Sequence, residues 1–129
     1  IDKIASGGEL ARFLLALKVV LARNESPKTL IFDEVDSGVG GAVAAAVGAR
    51  LARLGEQTQT LVITHSPQVA GKGKHHLKIA KQASSQTIIS DTFILDDSAR
   101  IEEVARMLSG DEITKEARAA ALNLLELAR

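Results

Sequence analysis

The sequence predicts an α/β fold, in which a parallel strand–helix–strand unit is followed by a β-hairpin and C-terminal helices. Two short apolar runs, residues 30–32 and 61–63, are too short for helices and lack the alternation of half-exposed strands. Such runs are typical of parallel strands that are covered on both faces. Between them, apolar residues recur at helical spacing and stop at Gly55. This order predicts a βαβ unit, whose crossover is right-handed.

A further helix is predicted before this unit. Ser6 and Glu9 form the Ser-x-x-Glu pattern of a capping box, and apolar residues recur at helical spacing after it. The helix spans about residues 8–23, and a turn that contains Pro27 follows it. Three glycines within residues 37–41 place a loop directly after the first predicted strand.

The second half of the chain predicts a short helix, a hairpin and two longer helices. Ser66 and Pro67 are residue types typical of an N-cap and a first helical position. Residues 76–81 and 87–95 predict two strands joined as a hairpin. Two amphipathic patterns predict the last two helices, the second with Thr114 as its cap.

The composition fits one domain, or a large part of one. Of the 129 residues, 46% are apolar, and the 16 basic and 16 acidic residues balance, so no overall charge attracts the chain to DNA or to a membrane. The absence of Trp and Tyr argues against an aromatic platform for single-stranded nucleic acid, and the absence of Cys excludes thiolate metal sites. No apolar run reaches the roughly 18 residues of a membrane span. The sequence starts at Ile1 and runs directly into a glycine motif, which suggests a single partial domain over residues 1–129.

Two adjacent carboxylates follow the first predicted strand. Asp33 and Glu34 would lie at the carboxyl end of a parallel strand, where such sheets bind ligands. Phosphoryl transfer needs charge neutralisation and a positioned nucleophile. Asp33 is therefore a candidate ligand of Mg²⁺, and Glu34 is a candidate base for an attacking water. A polar strand end that only meets solvent is the alternative.

Glycines and a histidine complete the candidate site. Gly7 and Gly8 would allow a phosphate to approach the backbone at a helix N-terminus, and the Ser6 hydroxyl could donate a further hydrogen bond. Ser6 acting only as a helix cap is the alternative. His65 ends the second predicted strand, so its ring would reach the same edge of the sheet as Glu34, although a histidine at a strand end is usually structural.

A basic stretch extends from Lys72 to Lys81 and contains four lysines and two histidines. It could contact DNA phosphates without reading a base sequence. A solvated hairpin face is the favoured alternative. His75 and His76 make a poor metal site, because adjacent residues of a strand point to opposite faces.

The order and spacing of these motifs resemble the ABC-type ATPases, with a signature loop, a Walker B strand and a switch histidine. Glu9 after the two glycines and Val35-Asp36 after the two carboxylates favour the SMC-like branch over the transporters. Four segments are similar to the RecN family of bacterial DNA repair ATPases: residues 5–12, 32–41, 63–71 and 103–110. The resemblance covers nearly the whole chain and corresponds to the C-terminal lobe of the ATPase head.

This resemblance implies ATP and Mg²⁺ as cofactors, and DNA repair and recombination as the process. Asp33 would hold the Mg²⁺, and Glu34 and His65 would be catalytic. In this family two heads enclose the nucleotides between them. The positions that would contact nucleotide or link the two sites across such a homodimer are Ser6, Gly7, Gly8 and Asp36.

The sequence contains neither a Gly-x-x-x-x-Gly-Lys-Ser/Thr motif nor a long heptad run. In the family, the P-loop lies in an N-terminal lobe beyond a long coiled coil. We therefore expect hydrolysis only when that lobe and a second head complete the site. DNA would be a partner of the full-length protein, a membrane would not, and the location would be the bacterial cytoplasm near the nucleoid.

Two other functions stay open at this point. One is a fragment of a transporter nucleotide-binding domain, which is also an ATPase but is coupled to a membrane. The other is a non-hydrolysing interaction module that uses the sheet as a scaffold. The presence of both Glu34 and His65 argues against the second.

Overall fold

The structure is a computed structural model that describes residues 29–84 and 87–126, together with Ala16. Its elements follow one another as β1 (Thr29–Asp33), α1 (Gly41–Gly55), β2 (Gln59–Ile63), α2 (Pro67–Ala70), β3 (Leu77–Ser84), β4 (Thr87–Ile94), α3 (Asp97–Ser109) and α4 (Lys115–Glu126). The helix predicted over residues 8–23 lies outside the described residues except for Ala16, which is helical. The glycine motif before that helix also lies outside them.

The predicted βαβ unit is confirmed. Strands β1 and β2 pair in parallel, from Thr29 opposite Gln59 to Asp33 opposite Ile63, and α1 connects them. Both carboxyl ends therefore meet at one edge of the sheet. The α/β fold class, with a hairpin and C-terminal helices after this unit, is confirmed as well.

The first hydrophobic core lies on one face of the β1–β2 sheet. Phe32, which is 2% exposed, packs there with Val47 and Leu51 of α1 and Val69 of α2. Because strand side chains alternate between faces, Leu30 and Val62 also lie against this core.

The prediction that both strand faces are buried is wrong for the described residues. On the opposite face, Ile31 is 56% exposed, Leu61 45% and Ile63 43%. The physical reason is that α1 and α2, the described helices that pack on this unit, both contribute to the core on the Phe32 side. We refer to Ile31, Leu61 and Ile63 as the exposed sheet face.

The short helix α2 packs closely against α1 at Gly48. A Cβ at this position would lie 3.1 Å from the carbonyl oxygen of Gln68 and 3.1 Å from the Cα of Val69. Ser66 is the N-cap residue of α2 and Pro67 follows it, as predicted. The Ser66 side chain does not cap the helix, because its hydroxyl donates to Oε1 of Gln68 at 3.0 Å.

The hairpin and the last two helices follow the predicted order. Strands β3 and β4 pair in antiparallel fashion from Leu77 opposite Ile94 to Ser84 opposite Thr87. Helices α3 and α4 form a second core around Val104 and Ala121, both 0% exposed.

Side chains cap both α3 and α4, and the cap of α4 is the predicted one. Thr114 caps α4, since its Oγ1 accepts from the Ala117 N–H at 3.1 Å. Helix α3 begins at Asp97, because Asp96 caps it by accepting from the Ala99 N–H at 2.8 Å. In the described part of the chain, no helix has the length and apolar character that crossing a membrane requires.

Candidate functional site

The loops that follow β1 and β2 lie side by side and carry the predicted catalytic residues. The N–H of Glu34 donates to the carbonyl oxygen of Ile63 at 3.0 Å. Since His65 is two residues beyond Ile63, backbone dimensions place the Cα atoms of Glu34 and His65 within roughly 11 Å. The structure therefore brings Asp33, Glu34 and His65 to one edge of the sheet, and all three side chains are exposed.

Glu34 has an uncommon backbone conformation. Its φ is 48°, in the left-handed region that residues other than glycine seldom adopt. The turn is held on both sides, because the Glu34 N–H is bonded to Ile63 and its carbonyl accepts from the Ser37 N–H at 3.0 Å. Strain of this kind concentrates at functional sites, where the surrounding structure imposes it.

Asp36 is buried within its own chain rather than presented at the surface. Its side chain is 3% exposed, and its Oδ2 accepts a hydrogen bond from the hydroxyl of Thr64. The same hydroxyl oxygen accepts from the Ser66 N–H at 2.9 Å. This hydrogen-bond chain of Asp36, Thr64 and Ser66 connects the two loops. The sequence motifs do not point to Thr64, whose one signal is its position directly before His65.

An open cleft of about 350 Å³ lies beside these loops. Asp36, His65, Ser66 and Gln68 supply the polar part of its lining. Among the residues that the structure describes, Asp36 Oδ1 is buried and has no hydrogen-bond partner. Asp33 and Glu34 are not part of this lining. The predicted site residues thus divide between the sheet edge and the cleft, with His65 belonging to both.

A magnesium ion at this edge would need ligands from outside the described residues. Within residues 29–84 and 87–126, no three His, Cys, Asp or Glu side chains are grouped to hold a metal. Mg²⁺ usually takes one or two carboxylates and completes its shell with water and substrate phosphates. The exposed carboxylate of Asp33 fits that limited role.

The predicted basic stretch is divided by the structure. Lys74, His75 and Lys81 are exposed, as a solvated face or a phosphate-binding surface requires. Lys78 instead donates to Oε2 of Glu103 on α3 at 2.5 Å. Burial lowers the pKa of the half-buried His76 below 6.5, and the nearby positive charges of Arg100 and Lys78 lower it further against the opposing charge of Glu103.

Arg100 connects α3 to the segment after α2. Its guanidinium donates to the carbonyl oxygens of Ala70 at 3.5 Å, Gly71 at 3.4 Å and Lys74 at 3.4 Å, and also to that of Gly73. These are carbonyls at and beyond the C-terminus of α2, where the regular helical hydrogen bonds end. Arg100 thereby fixes the path of the chain downstream of His65.

The predicted nucleotide-binding residues Ser6, Gly7 and Gly8 lie outside the described residues. Their roles, and those of Asp33, Glu34, Asp36 and His65, stay predictions.

No protein-family model matches this chain. Among curated proteins, the DNA repair protein RecN of Xylella fastidiosa (strain Temecula1 / ATCC 700964) is 51% identical over 96% of this chain and 22% of its own length. RecN of Vibrio cholerae is 49% identical over 97% of this chain and 23% of its own length. RecN of Streptomyces coelicolor is 46% identical over 100% of this chain and 23% of its own length. The chain thus spans less than a quarter of these relatives, and the resemblance to RecN is confirmed over that part.

A solved structure of another protein has a fold similar to that of this chain. A chain from a study of ATP-driven dimerization and DNA-stimulated activation of SMC ATPases superimposes with a TM-score of 0.63. The match covers 83% of this chain and 64% of that chain at 18% sequence identity. At this level of identity, the likeness shows the fold of an SMC ATPase and no more.

Proposed function

We propose that this chain is part of the ATP-hydrolysing head of a RecN-type DNA repair protein. The observation that carries this proposal is the parallel pairing of β1 with β2, which places Asp33, Glu34 and His65 at one sheet edge. The similarity to proteins named DNA repair protein RecN supports a role in DNA repair and favours it over a role in transport.

The residues at the sheet edge have the chemistry that hydrolysis of a phosphoanhydride needs. Asp33 would hold Mg²⁺, which neutralises phosphate charge when it is bound. The exposed carboxylate of Glu34 would accept the proton of the attacking water. His65 would orient that water or donate to the transferred phosphate from the neighbouring loop.

The head would be completed by parts that lie outside this chain. A P-loop lobe of the same protein would supply the phosphate cradle, because the 129 residues contain no P-loop motif. Ser6, Gly7 and Gly8 would contact the nucleotide held by a second head, so that ATP drives the dimerisation of two heads. Hydrolysis would separate the heads and couple ATP to DNA repair and recombination by the full-length protein in the bacterial cytoplasm.

A Glu34→Gln substitution tests the proposed hydrolysis in the full-length protein. Glutamine preserves the shape of the side chain but cannot accept the proton, so the rate of phosphate release should fall by about 10²- to 10⁴-fold. Nucleotide binding should persist, and an ATP-bound dimer should accumulate in light-scattering measurements. Glu56→Gln is the matched control, because Glu56 is an exposed glutamate at the end of α1, away from the sheet edge.

The same experiment tests the contact across the dimer. Adding Ser6→Arg to the Glu34→Gln protein should prevent the accumulation of the dimer, since a long cation would occupy the space of the opposite nucleotide. A Glu34→Gln protein that releases phosphate as fast as the Glu56→Gln control would contradict the role of Glu34. A dimer that forms equally well with Ser6→Arg would contradict the contact across the dimer.

A further inference from the structure

Thr64 lies between the two loops that carry the proposed catalytic residues. Its hydroxyl donates to Asp36 in the loop after β1 and accepts from the Ser66 N–H in the loop after β2, at 2.9 Å. A hydroxyl has one proton and two acceptor lone pairs, so these two contacts give the hydrogen-bond chain a single direction. The hydrogen-bond chain requires an acceptor at Asp36 and a hydroxyl at position 64.

The hydrogen-bond chain fixes the backbone on both sides of His65. The side chain of Thr64 is held by Asp36, and the backbone of Ser66 is held by Thr64. Ser66 is the N-cap of α2, where an N–H has no partner within a helix, so the Thr64 oxygen is its partner instead. His65 is exposed and lies between these two fixed residues.

The same hydrogen-bond chain also stabilises the turn that sets the backbone conformation of Glu34. The Ser37 N–H closes this turn on the Glu34 carbonyl at 3.0 Å, and Asp36 lies within it. Because Asp36 is 3% exposed and accepts from the Thr64 hydroxyl, its carboxylate cannot move away without breaking that bond. The left-handed conformation of Glu34, with φ at 48°, is therefore stabilised from the loop after β2.

We propose that Thr64 and Asp36 are positioning residues that set the distance between Glu34 and His65 through the Asp36–Thr64–Ser66 hydrogen-bond chain. This proposal rests on the proposed function, since it assigns the pair a role in hydrolysis. The sequence predicts that Asp36 links the two heads of a dimer. The role proposed here is different, because it is performed within one polypeptide. Loss of the hydroxyl should slow the chemical step and leave the affinity for nucleotide unchanged.

The test compares Thr64→Val with Thr64→Ser in the full-length protein. Valine has the shape of threonine without the hydroxyl, whereas serine keeps the hydroxyl. In steady-state ATP hydrolysis, Thr64→Val should lower kcat by about 10- to 100-fold with KM for ATP unchanged. Thr64→Ser should stay within about threefold of the parent. Amide hydrogen exchange followed by mass spectrometry should show faster exchange at residues 33–40 and 64–69 in Thr64→Val only.

Each result decides the proposal. The proposal is overturned if Thr64→Val and Thr64→Ser have the same kcat, whether or not both are slower than the parent. It is also overturned if Thr64→Val changes only KM. If the parent protein does not hydrolyse ATP, the proposed function fails and hydrogen exchange alone decides the hydrogen-bond chain, with unchanged exchange in Thr64→Val overturning it. If circular dichroism shows that Thr64→Val is unfolded, Thr64→Ala replaces it with the same expected results.

Discussion

At the scale of single residues, Glu103 is a buried carboxylate that forms ion pairs with two cations. Its side chain is 8% exposed and contacts Lys78 and Arg106, each at 2.5 Å. Burial raises the pKa of Glu103, but the hydrogen bonds and positive charges of Arg106 and Lys78 outweigh it, so the pKa lies below the ordinary 4.5. The Lys78–Glu103 ion pair therefore connects the hairpin to α3, whereas the Arg106–Glu103 pair lies within α3.

Glu103 should make the stability of the fold depend on pH. Because its pKa is lower in the folded than in the unfolded chain, its contribution is complete above pH 4.5 and is lost as the pH falls through the folded value. Glu103→Gln should lower the free energy of unfolding by about 1–2 kcal/mol at neutral pH, a value that allows for the partial exposure of both cations. The difference from the parent should vanish in acid.

Urea unfolding at a series of pH values, followed by circular dichroism, measures this effect. Glu102→Gln is the matched control, because Glu102 is the neighbouring residue and forms an exposed ion pair with Arg118 at 2.7 Å. It should change the unfolding free energy far less. A Glu103→Gln protein whose deficit is the same at every pH would show that the carboxylate charge is not what holds the hairpin.

Single residues also show which parts of the candidate site sequence patterns can predict and which they cannot. The sequence predicts the location of Asp33, Glu34 and His65, because apolar runs indicate where the strands end and the carboxyl ends of parallel strands meet at one edge. It does not predict that Asp36 is buried or that Thr64 binds it, since both depend on how closely two loops approach. That approach is set by the tertiary packing of α1 and α2, which no local pattern contains.

At the scale of elements, the sequence predicts the type and order of the helices and strands better than it predicts what packs against them. The described helices and strands occur in the predicted order, but β3 extends to Ser84, beyond the predicted end of that strand at Lys81. The exposed sheet face was not expected, because an apolar run indicates that something covers both faces without saying which segment does so. The start of α3 at Asp97 follows Asp96, a favoured N-cap residue that the amphipathic pattern alone does not indicate.

The contact between α1 and α2 depends on a residue without a side chain. Gly48→Ala would place a Cβ 3.1 Å from two atoms of the α2 backbone and 3.2 Å from Cγ of Lys72. Overpacking of this kind costs about 1–3 kcal/mol, and the higher helix propensity of alanine offsets about 0.5–1 kcal/mol of it. We therefore expect Gly48→Ala to lower the free energy of unfolding by about 1 kcal/mol.

Gly55→Ala is the matched control, because Gly55 is also helical in α1 but has no atom within 4 Å of the added Cβ. It should be neutral or stabilising by up to about 1 kcal/mol. Both variants are compared with the parent by urea unfolding. If Gly48→Ala is as stable as Gly55→Ala, α2 moves freely enough to admit a methyl group, and the two helices are not closely packed in solution.

At the scale of the whole molecule, the exposed sheet face is an apolar surface that a P-loop lobe could cover. Ile31, Leu61 and Ile63 are each exposed by more than two fifths on one face of a two-stranded sheet. A sheet of two strands gains little stability by itself, and contiguous exposed apolar residues favour association. The surface is consistent with a partner lobe and also with a non-hydrolysing interaction module.

An assay of the isolated chain distinguishes these two functions. The 129 residues contain a proposed base and a proposed Mg²⁺ ligand but no P-loop lysine or backbone cradle for a triphosphate. We therefore expect no measurable phosphate release from the purified chain, and Mg²⁺-dependent release when the P-loop lobe is supplied on the same or a second polypeptide. The matched control is the same mixture with Glu34→Gln, which should bind nucleotide without turnover. Turnover by the chain alone would mean that a phosphate cradle lies within these residues. If the two lobes associate but release no phosphate, the interaction module becomes the better description of the chain.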